Sequence, residues 1–187
     1  MAEKRVAWHK QIADELATRL VFVDESGANT KMTRLRGRAL EGQRVVGRIP
    51  QGHYQTTTLV SGIHLHGPCA PWLFEGAMDG EMFLAWVVQG LVPALQKGDL
   101  VIMDNLATHK VQGVAEAIEQ AGARLRYLPP YSPDFNPIEN MWSKIKQILR
   151  SADPRSGTEL IQAAKTAFQA ISSTDCHGFF SNANYAT

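Results

Sequence analysis

The stretch YLPPYSPDFNPIENMW, Tyr127 to Trp142, places four prolines within nine residues and passes without a spacer into a helical pattern. Asn136 suits an N-cap, Pro137 suits the first helical position, and Glu139 stands where its side chain can reach back to the cap amide. Beyond it Ile138, Met141, Trp142, Ile145, Ile148 and Leu149 recur at helical spacing, which predicts an amphipathic helix starting near Asn136. Read locally, Glu139 is a capping-box glutamate.

Upstream, ARLRYL reads as a strand leading into the proline loop, and VQGVAEAIEQAG as a helix stopped by Gly122. DLVIMDN is a short buried strand ending on Asp104, and LVFVDES is another ending on Asp24. Between them lie the strand candidates YQTTTLVSGIHLHG and PWLFEGA, then a helix capped by Asp79 and closed by Lys97 and Gly98. That helix carries Phe83, Trp86, Val87, Gly90, Leu91, Ala94 and Leu95 on one face, with a bend expected at Pro93. The expected strands lie near residues 20–25, 54–66, 71–75, 100–104 and 123–128. A lead-in helix is expected over residues 3–19 with Val6, Ile12 and Leu16 on one side, and a last helix over TELIQAAKTAFQAI with Leu160, Ala164, Phe168 and Ile171 inward. Strands that later alternate with helices make one α/β domain with a mixed sheet covered by helices.

The length of 187 residues fits one such domain, and 44% hydrophobic with 20% charged residues is ordinary globular composition. No apolar run approaches a membrane span, and the charged N-terminus has no secretory pattern. With Cys69 and Cys176 as the only cysteines, neither a disulfide framework nor a cysteine-rich zinc site is indicated, so a cytoplasmic location is expected. The net charge of +1 hides a local excess: Lys31, Arg34, Arg36, Arg38, Arg44 and Arg48 face only Glu41 in their segment.

Open α/β sheets place ligand sites at the C-terminal ends of strands, where Asp24 and Asp104 both fall. If their strands are adjacent, the two carboxylates face each other, which is costly unless a cation lies between them. Hard oxygen donors suit Mg²⁺ or Mn²⁺. A third acid from the first turn of a nearby helix would complete the site, and Glu139 is available.

Three blocks, FVDESG, IMDNLATHK and LPPYSPDFNPIENMW, closely resemble the signature blocks of DDE-type transposases, in the insertion-sequence branch related to the mariner elements. The positions matching that family's catalytic and metal-holding acids are Asp24, Asp104 and Glu139, and the 34 residues between the last two are the spacing of this branch. The resemblance implies a ribonuclease H-like fold of the retroviral integrase kind, with the first and fourth of five strands adjacent. It further implies two Mg²⁺ or Mn²⁺ ions, DNA cleavage at transposon ends, and joining of the 3′-hydroxyl ends to target DNA. Asn105 and His109 fall beside the second acid in supporting positions. Lys31, Arg34, Arg36, Arg38, Arg44, Arg48, Lys144, Lys146 and Arg150 are expected to touch DNA phosphates.

The expected division is a lead-in over residues 1–19, a catalytic domain over 20–175 and a C-terminal tail over 176–187. Complete members of the family carry helix-turn-helix modules upstream, so that part is expected to be encoded separately or lost, and a homodimer on paired DNA ends is the expected assembly. A copy that binds DNA without cutting and a ribonuclease H-type nuclease are the competing readings. His64 and His66 read as surface or packing histidines, Glu25, alternating away from Asp24, as either a support behind the site acids or a structural acid, and Trp142 as a packing anchor. Asp134 rivals Glu139 as third acid but stands too close to Asp104 for this branch.

Overall fold

The computed structural model describes residues 2–12, 14–47, 50–51 and 54–185. Its sheet has five strands: β1 (Leu20–Asn29), β2 (Thr56–His64), β3 (Gly67–Glu75), β4 (Leu100–Met103) and β5 (Arg124–Tyr127). They lie in the order β3-β2-β1-β4-β5. The first three are antiparallel, while β4 runs parallel to β1 and β5 parallel to β4. The predicted adjacency of the first and fourth strands is therefore present.

Alternation along the buried strands explains why both faces are covered. Leu20 and Phe22 of β1, with Leu100 and Ile102 of β4, pack on one face against α1 (Ala2–Ile12), α5 (Pro137–Ala152), α6 (Gly157–Gln169) and α7 (Ser173–Asn182). Val21, Val23, Val101 and Met103 pack on the other against α2 (Gly80–Trp86) and α4 (Val114–Gln120). The amphipathic helix expected near Asn136 is α5, which buries Ile138, Met141, Trp142, Ile145 and Leu149.

Several boundaries differ from the sequence reading. The lead-in helix stops at Ile12, so Leu16, expected to face inward, is 69% exposed. The Val6 side chain lies outside the described set. β1 continues to Asn29 in its pairing with β2, and β3 begins at Gly67 after a tight turn. At Pro93 the helix widens: the Val92 amide donates to the Val87 carbonyl, five residues back, in a π-turn over Val87–Leu91 that leads into α3 (Val92–Ala94). A proline has no amide to donate, and the shifted ladder accommodates it.

Of the segment expected as a C-terminal tail, the described residues up to Tyr185 pack into the core. Ser172 and Asp175 form a capping box that starts α7, and Cys176 and Phe180 are fully buried. Phe180 meets Phe22 edge-on at 5.5 Å between ring centroids, and Tyr185 meets Phe22 at 4.9 Å. The Tyr185 hydroxyl accepts from Trp8 Nε1 at 3.1 Å and donates to the Phe135 carbonyl at 2.7 Å. Both described ends of the chain are thereby tied to the proline loop.

Candidate active site

The register that pairs Phe22 with Ile102 places Asp24 and Asp104, each two residues further on, level with one another. By the same alternation both follow the face that α5 covers. Asp24, Asp104 and Glu139 line one cavity of about 460 Å³, walled by Asn105, Leu106 and the proline loop.

Glu139 does not form the capping box. The Asn136 amide donates to the Pro133 carbonyl at 3.0 Å, and the Asn136 side chain makes no cap hydrogen bond. A 3₁₀ turn over Pro133–Phe135 thus fixes where α5 starts and leaves the first-turn glutamate to the cavity. The rival Asp134 is engaged elsewhere, receiving Arg5 Nη1 at 2.9 Å, while the guanidinium of Arg5 lies 4.1 Å over the Phe135 ring.

The acids repel one another. Burial, followed by the charges of Glu139, Glu25 and Asp104, pushes the Asp24 carboxyl from 3.8 up to about 8, although its Oδ1 accepts the Glu25 amide at 2.8 Å. Burial also pushes the Asp104 carboxyl up, but the close approach of His109, the hydrogen bond from the Leu106 amide and the charges of His109 and Lys110 outweigh it and hold Asp104 below its ordinary value. His109 is fully buried and lies against Phe83 at 4.5 Å. Its Nδ1 is 2.7 Å from Asp104 Oδ1 and its Nε2 is 2.8 Å from Glu25 Oε2. Burial lowers the imidazole's proton affinity, yet the two carboxylates prevail and raise its pKa to about 9.

Asn105 lies at the cavity wall, where its Nδ2 donates to the Leu128 carbonyl and its Oδ1 accepts Lys110 Nζ at 2.9 Å, tying the end of β4 to the proline loop. Glu25, read from the sequence as either a support behind the site or a structural acid, and Lys110, which that reading passed over, are polar neighbours of the acids. Glu25 had a signal, since it alternates onto the face where His109 packs. Lys110 had only its place in the THK run.

The donor set, three carboxylates from three elements, fits hard divalent cations, and the charge strain on Asp24 is what such a cation would relieve. Among the described residues no three His, Cys, Asp or Glu side chains already converge as a finished cage. Asp24 Oδ1 and Asp104 Oδ1 are each approached by protein donors. His64 and His66 form no such group either. They sit at the β2–β3 turn, toward the end of the sheet away from Asp24, with His64 Nδ1 accepting the His66 amide at 3.1 Å.

Of the basic residues, Arg34, Arg36, Arg38 and Arg44 are exposed on an irregular segment, while Lys31 is half-buried with its Nζ 4.9 Å over the Tyr54 ring. Lys31, Lys146 and Arg150 share one groove, and Arg34 and Arg36 share another with Arg150, so this segment and the outer side of α5 form one basic surface. Lys144 is drawn away, pairing with Asp175 at 2.6 Å. Arg48 lies outside the described residues.

A five-stranded mixed sheet, with acids from two adjacent parallel strands and from the helix after the last strand lining one cavity, defines the ribonuclease H-like class. The chain belongs to the DDE superfamily endonuclease family, whose model matches residues 19–161. Its fold is that of the mariner transposase Mos1. Against the Mos1 paired-end complex with left transposon end the TM-score is 0.76 at 16% identity, covering 97% of this chain and 56% of that one. Against the Mos1 paired-end complex with Mn the TM-score is 0.75 at 15% identity, with 97% and 59% covered. Against the Mos1 catalytic domain with Raltegravir and Mg it is 0.69 at 16% identity, with 98% and 88% covered. The chain thus spans just over half the length of the Mos1 chains in those two complexes, and most of the catalytic-domain chain. A comparison with curated proteins finds no match.

Proposed function

We propose that this chain is the catalytic domain of a transposase that cleaves DNA at the ends of a mobile element and joins the freed 3′-hydroxyl ends to target DNA. The observation that carries the reading is the shared cavity of Asp24, Asp104 and Glu139, in which burial, and after it the neighbouring like charges, push the Asp24 carboxyl up to about 8. Asp24, Asp104 and Glu139 would hold two Mg²⁺ or Mn²⁺ ions. Bound there, the ions supply Lewis acidity to the nucleophile and the leaving oxygen of a phosphodiester.

The chain's own residues do the rest by placement and charge, which is most of what phosphoryl transfer asks of a protein. His109 holds Asp104, Asn105 holds the proline loop to the end of β4, and Lys110 puts a cation beside the acids. Lys31, Arg34, Arg36, Arg38, Arg44, Lys146 and Arg150 bind DNA phosphates, with Arg48 in the same segment of sequence and Lys144 contributing less because of Asp175. Recognition of terminal repeats falls to a helix-turn-helix part outside this sequence, and two copies act on paired ends. No helix of the described residues is long and apolar enough to cross a membrane, and the site of action is DNA in the cytoplasm.

Nicking of supercoiled plasmid in Mn²⁺ tests the reading. Nicking that requires metal, falls with rising salt and disappears in Asp24→Asn, Asp104→Asn and Glu139→Gln supports it. DNA binding with no nicking would leave the reading of a copy that binds without cutting, and RNA hydrolysis in hybrids would indicate a ribonuclease H activity.

A further inference from the structure

We infer that Glu25 is a positioning residue for Asp104, acting through His109, so that the dipeptide Asp24–Glu25 supplies one acid of the site and the restraint on a second. The inference rests on the metal-centre reading above. Glu25 is not on the cavity wall; alternation along β1 turns it to the opposite face from Asp24. A carboxylate there is a cost, since its charge adds to the burden on Asp24. It is nevertheless kept 78% covered, with His109 Nε2 at 2.8 Å from Oε2.

His109 has no freedom to serve anything else. Its ring is fully buried against Phe83, its carbonyl accepts the Tyr127 hydroxyl at 3.1 Å, and its Nδ1 is 2.7 Å from Asp104 Oδ1. Asp104 needs such a restraint. It follows Met103, the last residue of β4, and so lies past the sheet's ladder, while Asp24 lies well inside β1 with Ser61 as its partner on β2. The Leu106 amide and His109 both fall on Asp104 Oδ1, which leaves the other oxygen for a ligand in the cavity. Groups that orient a metal's ligands typically change metal affinity by about 10–100-fold when removed.

The test is a double-mutant cycle on Mn²⁺ affinity, measured by calorimetry without DNA, for wild type, Glu25→Ala, His109→Ala and the pair. Each single change should weaken Mn²⁺ binding by about 10-fold or more, and the pair should be no weaker than His109→Ala alone, because both interrupt one connection. Glu25→Gln, which keeps an acceptor for Nε2, should recover much of the loss, and metal-free DNA affinity should be unchanged throughout. If His109→Ala does not fold, His109→Gln replaces it in the cycle. Wild-type Mn²⁺ affinity in folded Glu25→Ala, or losses that multiply in the pair, would overturn the inference while leaving the metal centre intact. A wild-type protein that takes up no Mn²⁺ would instead remove the metal-centre reading, and this inference with it.

Discussion

Replacing Asp24 by Asn should make the metal-free protein more stable near pH 8, at the expense of its site. The folded protein keeps a proton on Asp24 up to about 8, whereas the unfolded chain releases it near 3.8. Between those values the folded state binds more protons, so this group's contribution to stability is complete below 3.8 and is lost as pH rises through about 8. Asn removes that slope and keeps an oxygen to accept the Glu25 amide. A gap of this size corresponds at face value to about 6 kcal/mol, at 1.36 kcal/mol for each pH unit. Relaxation and water entry around the charged carboxylate reduce this, and the expected gain of Asp24→Asn is ~2 kcal/mol near pH 8. Urea denaturation in chelator at about pH 5 and about pH 8 measures it, with the variant's advantage shrinking toward zero at the lower pH. Saturating Mn²⁺ should reverse the order, because only the wild type gains from binding. A difference that does not change with pH, or an Asn variant less stable at pH 8, would refute the electrostatic reasoning.

Phe180→Ala should cost about 3–5 kcal/mol in denaturant titrations, since it empties a fully buried position against Phe22; a cost under about 1 kcal/mol would mean that α7 is not docked. Lys144 and the Ser172 cap hold the Asp175 carboxyl at about 2, so its stabilisation is present above 3.8 and lost as pH falls toward 2. Asp175→Asn should therefore cost ~1 kcal/mol at neutral pH and nothing near pH 2, as followed by the helical circular-dichroism signal. Asp153 closes α5 at φ 55°, ψ 48°, a conformation that suits glycine. Asp153→Gly should raise the melting temperature by about 1–2 °C, reflecting ~0.5 kcal/mol.

The strand-end acids were legible because a buried strand reads as a continuous apolar run, and an Asp closing such a run is conspicuous. That β1 and β4 are neighbours followed from the resemblance; nothing local in either segment encodes a pairing across about 80 residues. Glu139 was legible as a position but ambiguous in direction. Only the Asn136 amide bonding Pro133 shows that the cap takes another course. The connection from Glu25 to His109 spans 84 residues and depends on the β1–β4 register, so periodicity could not reveal it. α7 was missed because its apolar residues are few and Gly178 interrupts them. Its one clear signal was the Ser172-to-Asp175 capping spacing. Nothing in the sequence marks the stop of α1 at Ile12.

Whether Asp24, Asp104 and Glu139 share divalent metal is decided by anomalous diffraction from crystals grown with Mn²⁺. Mn²⁺ peaks are expected among these three carboxylates, with the Glu139 side chain directed to them and the Asn136 amide still bonded to the Pro133 carbonyl. Saturating Mn²⁺ with no peak there, or a Glu139 carboxylate folded back onto the Asn136 amide, would contradict the shared metal site.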